Sequence, residues 1–343
     1  MSTDSRAPIV DTQASPGCDD HLVQTQIATC AFTALIRPAD PVSALTYVSD
    51  GQQSAGAAPD LRAGYPVMTC ALGPQANQLF LQQVAQRSGG QYFYAPRAAD
   101  LMKVYNKVLA RSAQASLLVN QLTAIAHHEC QLIPLVVPQR PGSVQVSVVW
   151  SAPAIRYTAD SAQSDQLAVN LVEPCGAISA LKPSRVGAGF VIFTLDAPTA
   201  GLWYIQLAYS GRAPSLLCTG AALHYPAPGR SGLAPLWMNI ELASLHRVGQ
   251  PLALTLHVQA GGEVLSNVRA HALVLEPDDG ALDSLAPRQR IVHLQGSAGE
   301  YRGWLDTPVG GSYSVQLQVG GESQASGPFQ CSDLAGVLVR AAH

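Results

Sequence analysis

A chain of 343 residues exceeds the length over which one hydrophobic core keeps growing, so two or three domains with cores of their own are expected. Apolar residues make up 48% and charged residues 13%, the composition of a globular, sparingly charged protein and not of a disordered one. The net charge of −3, with Lys and Arg scattered, offers no positive field to phosphates and argues against nucleic acid as a partner.

The opening residues MSTDSRAPIVD lack the basic segment, apolar run and cleavage site of a secretory leader. Pieces such as LIPLVV and GLWYIQLAY fall short of the roughly 18 apolar residues a spanning helix needs, so no membrane-spanning segment is expected. The cysteines (Cys18, Cys30, Cys70, Cys130, Cys175, Cys218 and Cys331) contain no Cys-x-x-Cys pair, and structural zinc is not indicated. Buried thiols are the expectation, with one bridge such as Cys175 to Cys218 left open.

Taken in chain order, residues 1–40 are weakly patterned, although Val23, Ile27 and Ala31 allow a short helix. Ala44 to Val48 is a short β-favouring run ending in Ser49-Asp50-Gly51, and Tyr65 to Leu72 is a second, ending at Gly73. Both read as buried parallel strands. Between Asn77 and Arg87, Phe80, Leu81, Val84 and Ala85 keep helical spacing, and Gly89-Gly90 stands where a left-handed cap would stop a helix. Gln91 to Tyr94 is a third strand, closed by Pro96. Leu101, Val104, Tyr105, Val108 and Leu109 then fall on one helical face. Strand, helix, strand, helix implies a parallel sheet with crossover connections.

Beyond Ser112 apolar residues alternate, as in Gln145 to Trp150 and Ala253 to Val258, between Gly-, Pro- and Ser-rich turns. This all-β pattern repeats. Leu171-Val172-Glu173-Pro174 is echoed by Val274-Leu275-Glu276-Pro277, and Gly201-Leu202-Trp203-Tyr204 by Gly311-Ser312-Tyr313-Ser314. The offsets, 103 from 174 to 277 and 110 from 201 to 311, are about the length of one immunoglobulin-like sandwich. In each copy the Gly-x-aromatic element ends a turn and begins a late strand. Pro226 to Gly232 reads as the linker. The expected architecture is multidomain, α/β plus all-β: an abridged parallel-sheet unit in residues 1–113, antiparallel β-sandwiches in 114–228 and 229–332, and an unpatterned tail in 333–343.

Ser49-Asp50-Gly51, the strand ending Ala71-Leu72-Gly73, the helix from Asn77 into Ser88-Gly89-Gly90, then Tyr92, Tyr94 and Leu101 to Tyr105 resemble the second half of a von Willebrand factor A domain. About seventy residues carry the resemblance in the right order, and the Gly-x-Trp strand is similar to the β-sandwich modules that accompany such domains. The resemblance implies a metal-ion-dependent adhesion site in which hard oxygen ligands hold Mg²⁺ and leave one position for an acidic group of a partner. Asp50 matches the Asp after the family's fourth strand. Ile9 to Ser15 is similar to its first loop, supplying Asp11 and Ser15 but Gln13 where a hydroxyl belongs. The stretch from Ser15 to Ala44 is too short for the helix, two strands and further helix that the complete domain places there, and the Thr ligand has no counterpart beyond guesses such as Thr25 and Thr29. A degenerate magnesium site at Asp11, Ser15 and Asp50 and a plain turn at Asp50-Gly51 both remain open.

His127-His128-Glu129-Cys130 is the densest run of metal-type residues. A zinc-protease helix needs a second His where Leu132 stands, and in the strand expected here His127 and Glu129 share one face, His128 and Cys130 the other. No Gly-x-Ser-x-Gly nucleophile turn and no phosphate-binding glycine loop occurs. Asp278-Asp279-Gly280 with Asp283 reads as a turn in preference to a calcium loop, and Trp150, Trp203, Trp237 and Trp304 read as core in preference to a sugar-binding strip. These features imply a non-catalytic interaction, adhesion or scaffolding protein that binds a protein partner. The alternative is a hydrolase assembled from distant residues including His127 or His128. Such domain types point to the cell exterior or periplasm, while the missing leader argues otherwise.

Overall fold

The computed structural model describes residues 45–49, 66–160, 165–227, 237–259, 265–277, 288–324 and 327–341. The described chain is mostly β, in four sheets.

The strands β1 (Leu45–Ser49), β2 (Val67–Leu72) and β3 (Tyr92–Ala95) pair in parallel in that spatial order. Helix α1 (Gln78–Ser88) leads from β2 to β3, and α2 (Leu101–Ser112) follows β3. The Asn77 side chain accepts from the Phe80 N–H at 3.1 Å, satisfying a donor that α1 leaves open at its start. Gly89 ends that helix at φ +71°, a left-handed conformation that costs glycine nothing. Val104 of α2 packs on Met68, Cys70 and Phe93, whereas Leu81 and Ala85 of α1 pack on Ala71, Tyr92 and Tyr94, one helix to each face of the sheet.

Residues 116–226 form two facing sheets. The first runs β4 (Ser116–Ala126), β12 (Ser215–Pro226), β6 (Gly142–Trp150), β10 (Phe190–Asp196), β9 (Arg185–Gly187); the second runs β5 (Cys130–Val137), β11 (Gly201–Tyr209), β8 (Gln166–Val172), β7 (Arg156–Thr158). Alternate residues of both point inward, and Val146, Phe193 and Cys218 of one sheet meet Leu135, Ile205 and Leu171 of the other. Residues 237–340 form one sheet of eight strands: β13 (Trp237–Glu241), β15 (Leu252–Gln259), β18 (Glu300–Leu305), β17 (Gln289–Ser297), β16 (Leu265–Leu275), β19 (Gly311–Ser323), β20 (Gly327–Arg340), β14 (Leu245–Arg247). β17 pairs with β16 through Gln289–Leu294 and with β18 through Gln295–Ser297, so the sheet folds over a shared core of Leu254, Leu256, Val274, Val315 and Val337.

The two sequence echoes occupy equivalent places. Gly201 and Gly311 open β11 and β19 at φ +135° and +130°. A Cβ on Gly201 would lie 3.1 Å from Pro174, and one on Gly311 would lie 2.7 Å from Pro277, so the repeated glycine leaves room for the repeated proline. Trp203 Nε1 donates to the Thr199 carbonyl at 2.8 Å and Tyr313 OH to the Val309 carbonyl at 2.9 Å, four positions upstream in both. Each buried ring thereby satisfies its polar atom and pins the turn before its strand.

Two expectations are corrected. Residues 333–340 are not a tail: they are the second half of β20, paired with β19 without interruption from Gly311↔Val339 to Ser323↔Gly327. Cys331, Val337 and Val339 face the core of the folded sheet, while Leu334 closes the α2-side core of the parallel sheet and Leu338 the α1-side core. A strand buried on both sides has no polar face, so no alternation marks it. Trp304 is not core either; it is 66% exposed on β18. Trp150 and Trp203 are buried, and Trp237 lies outside the residues whose side chains are described.

Polar side chains bind the three units together. Tyr92 OH and Ser312 Oγ are 2.6 Å apart, Gln91 Nε2 donates to the Leu334 carbonyl at 3.1 Å, and Gln316 Nε2 reaches the Asn120 carbonyl. The outer face of β19 thus lies against its neighbours, and its buried Ser312 and Gln316 have the partners that burial demands.

Candidate functional site

Asp11, Ser15 and Asp50, together with Thr25 and Thr29, lie outside the described residues, as do Asp278, Asp279, Gly280 and Asp283. Among the described residues no group of three or more His, Cys, Asp and Glu is placed to hold a metal ion. No described helix is long and apolar enough to cross a membrane.

The His127–Cys130 run is a turn and not the expected strand. Glu129 N–H bonds back to the Ala126 carbonyl at 3.1 Å, His128 takes φ +61°, and β5 begins at Cys130. The imidazoles are exposed and lie together, with ring centroids 3.7 Å apart, so the expected division between opposite faces does not hold. The Glu129 carboxylate accepts from the Ala126 N–H at 2.8 Å and from Gln131 Nε2 at 3.2 Å, which holds its pKa below the ordinary range. It is spent on the turn. The turn forms because αL backbone at position 128 reverses the chain between β4 of one sheet and β5 of the facing sheet.

Cys70, Cys218 and Cys331 are buried free thiols, with burial pushing each pKa up to about 12, so none is a thiolate at neutral pH. Cys175 is exposed while Cys218 is buried, and both are free, which removes the bridge left open between them. His224, on β12, is 5% exposed, with Nε2 lacking a hydrogen-bond partner. Burial lowers its pKa below the ordinary 6.5. The folded protein holds this ring neutral where the unfolded chain takes up a proton. Stability therefore falls as the pH drops through 6.5 and keeps falling until the folded ring itself titrates. Urea unfolding from pH 7 downward should show this slope, up to about 1.4 kcal/mol per pH unit for one proton. His224→Gln should flatten it by that one proton, and an unaltered slope would assign the effect elsewhere.

A cleft of about 770 Å³ lies where the units meet, bordered by Gln86, Gly90, Lys107 and Arg111 of the α/β unit, Met238 and Ile240 of β13, and Ser332, Asp333 and Gly336 of β20. Lys107, one of its lining cations, is already committed, because its Nζ forms an ion pair with the buried Asp333.

The outer face of the sheet β5-β11-β8 is different in kind. One row across it runs Ile178, Val172, Tyr204, Pro134, each residue the register partner of the next. Directly opposed residues point to the same side, so these form one continuous band. Leu202 flanks it with Val136 on one side, and Asn170, Gln206 and Leu132 form the row on the other. Ile178 is 61% exposed, Leu132 52% and Leu202 43%. β5, β8 and β11 contain no Asp, Glu, Lys or Arg. The result is an uncharged, largely apolar surface where exposed strand faces normally carry polar residues. The alternation is visible in the sequence; the signal for this face is that the outward set, although it includes Asn170 and Gln206, carries no charge.

The β5 edge of this sheet is blunted. Pro134 has no N–H to offer a further strand, and the Val136 N–H donates to Gln330 Oε1 of β20 at 3.1 Å. On this side, therefore, the sheet presents its face and not a free β5 edge.

No family model matches the chain, and no characterised protein matches it in sequence. Among solved structures, the chain is similar to a Bacillus licheniformis lipase in its propeptide form, at 12% identity and TM-score 0.37, over 80% of this chain and 60% of the lipase. The chain thus spans less than two thirds of that protein's length. A superoxide reductase (neelaredoxin) from Ignicoccus hospitalis is similar over 30% of this chain and 80% of its own, at 14% identity and TM-score 0.19. Likenesses this low carry no argument for a shared fold or activity.

Proposed function

We propose that the chain is a non-catalytic interaction or scaffolding protein: a von Willebrand factor A-like unit and two immunoglobulin-like sandwiches, presenting the outer face of β5-β11-β8 to a protein partner. That uncharged band from Ile178 to Pro134 is the observation that carries the reading. The domain types draw support from the parallel order β1-β2-β3 with a helix on each side, and from aromatic residues that hydrogen-bond to the turn before a late strand, as a tyrosine corner does. The polar contacts between units favour a scaffold, since a binding face is most specific when the body behind it does not move.

The competing hydrolase reading requires the His127 and His128 side chains to join a nucleophile in a sheltered site, whereas they sit exposed on a turn whose carboxylate is engaged. A tagged full-length chain should recover a protein partner and lose it on Leu202→Asp, with no ester or peptide turnover attributable to the chain. Turnover that disappears in the His127→Ala, His128→Ala double variant, without partner recovery, would overturn the proposal.

A further inference from the structure

We infer that the partner seated on the β5-β11-β8 face is a second copy of this chain, related by a two-fold axis through the middle strand β11; the inference rests on the reading of that face as an interaction surface. A two-fold contact brings each residue of a patch against the same patch on the other copy, so a charge near the axis meets its own image and is repelled. The band itself meets this condition, since no charged residue occurs in β5, β8 or β11; Arg156 of β7 and the Arg269 and Glu322 that line a cleft with Val136 stand at its margins. A partner carrying a charged surface would instead have to leave its charges desolvated against hydrocarbon.

The polar groups within the band satisfy the same condition. Asn170 and Gln206 are register partners in the row beside Tyr204, and a side-chain amide both donates and accepts, so it can pair with its own copy where a carboxylate or ammonium cannot. Since Pro134 and the Val136–Gln330 bond blunt the β5 edge, two copies meet face to face, as the two sheets of a sandwich do, and not by adding strand to strand there. With strands about 4.8 Å apart and outward residues about 6.8 Å apart along each, the band covers roughly 300 Å². Stable pairs bury about 800 Å² on each partner, so the expected dimer is reversible and depends on concentration.

Gln206 lies on the middle strand, beside the proposed axis, and is only partly exposed, which makes it the position to test. Sedimentation velocity of the full chain from about 1 to 100 µM should show a monomer–dimer equilibrium. Gln206→Glu and Gln206→Lys should each weaken dimerisation at least tenfold, by like-charge contact across the axis. An equimolar mixture of the two should restore the dimer, a rescue that a merely unfolded variant could not give. A native chain that stays monomeric throughout, or a dimer indifferent to both substitutions, overturns the inference. If the monomer still recovers a different protein in a Gln206-dependent manner, only self-pairing falls; if it recovers none, the interaction reading falls with it.

Discussion

Gly336→Val should detach the α/β unit from the folded sheet of residues 237–340 while leaving each strand's own propensity intact or improved. A Cβ at this position of β20 would lie 2.9 Å from the Phe93 carbonyl carbon, 3.0 Å from its Cα and 3.0 Å from Tyr92 Cδ1. Two of those atoms are backbone and cannot swing away. Leu334 and Leu338, on either side of Gly336, complete the two cores of the parallel sheet, so prising β20 from β3 opens both at once. Overpacking of this kind costs about 3 kcal/mol, and Val is the better strand former, so the loss cannot be assigned to propensity. Hydrogen exchange should speed up through β2, β3 and α1 and stay unchanged in β6, β10 and β12. A variant with native melting and native exchange would mean that β20 does not pack on β3.

The second large effect is expected at Asp100, at the start of α2. Its carboxylate is 2% exposed and lies 3.0 Å from both Arg97 Nε and Lys103 Nζ, with the Lys103 side chain itself only 4% exposed. The surroundings hold Lys103 in place, because Asn120 Nδ2 donates to its carbonyl at 2.8 Å and takes Asn106 Nδ2 on its own Oδ1 at 3.0 Å. Asp100→Ala leaves an ammonium buried without a counter-charge, which costs about 3–5 kcal/mol. Replacing both partners, as Asp100→Leu with Lys103→Met, should recover most of that, since a paired buried charge and an apolar pair of similar volume differ little. Equilibrium unfolding in urea reads both values. A single variant within about 0.5 kcal/mol of the native chain would show that the pair is solvated and that α2 does not dock as described.

The chain's local structure was legible where one rule dominated. Helical spacing over Leu101–Leu109, the Gly89 cap after α1 and the alternation in β6 and β15 each follow from a period or a backbone preference that acts within a few residues. The repeated Glu-Pro and Gly-x-aromatic elements were equally readable, because Gly201 with Pro174 and Gly311 with Pro277 solve one steric problem twice. The His127–Glu129 turn was misjudged because a short polar stretch between two alternating runs has no period of its own. The residues offered as a metal site stand in segments the structure does not describe, and the band from Ile178 to Pro134 escaped notice because its members are adjacent only through register.

By itself, then, the sequence determined the two described helices, the strands β1 to β3, β6, β11, β15 and β19, and the duplicated turn chemistry, since all of these are settled by neighbours along the chain. Only the tertiary structure decided that β20 serves two cores, that Trp304 faces solvent, that Asp100 and Lys103 are buried together, and that one sheet face is left apolar. The first of those outcomes depends on surfaces that meet across more than two hundred positions, as when Gln91 donates to Leu334 at a separation of 243 residues, and the others on packing that no neighbour along the chain dictates. A residue's partner at that range is chosen by packing, and no local period encodes it.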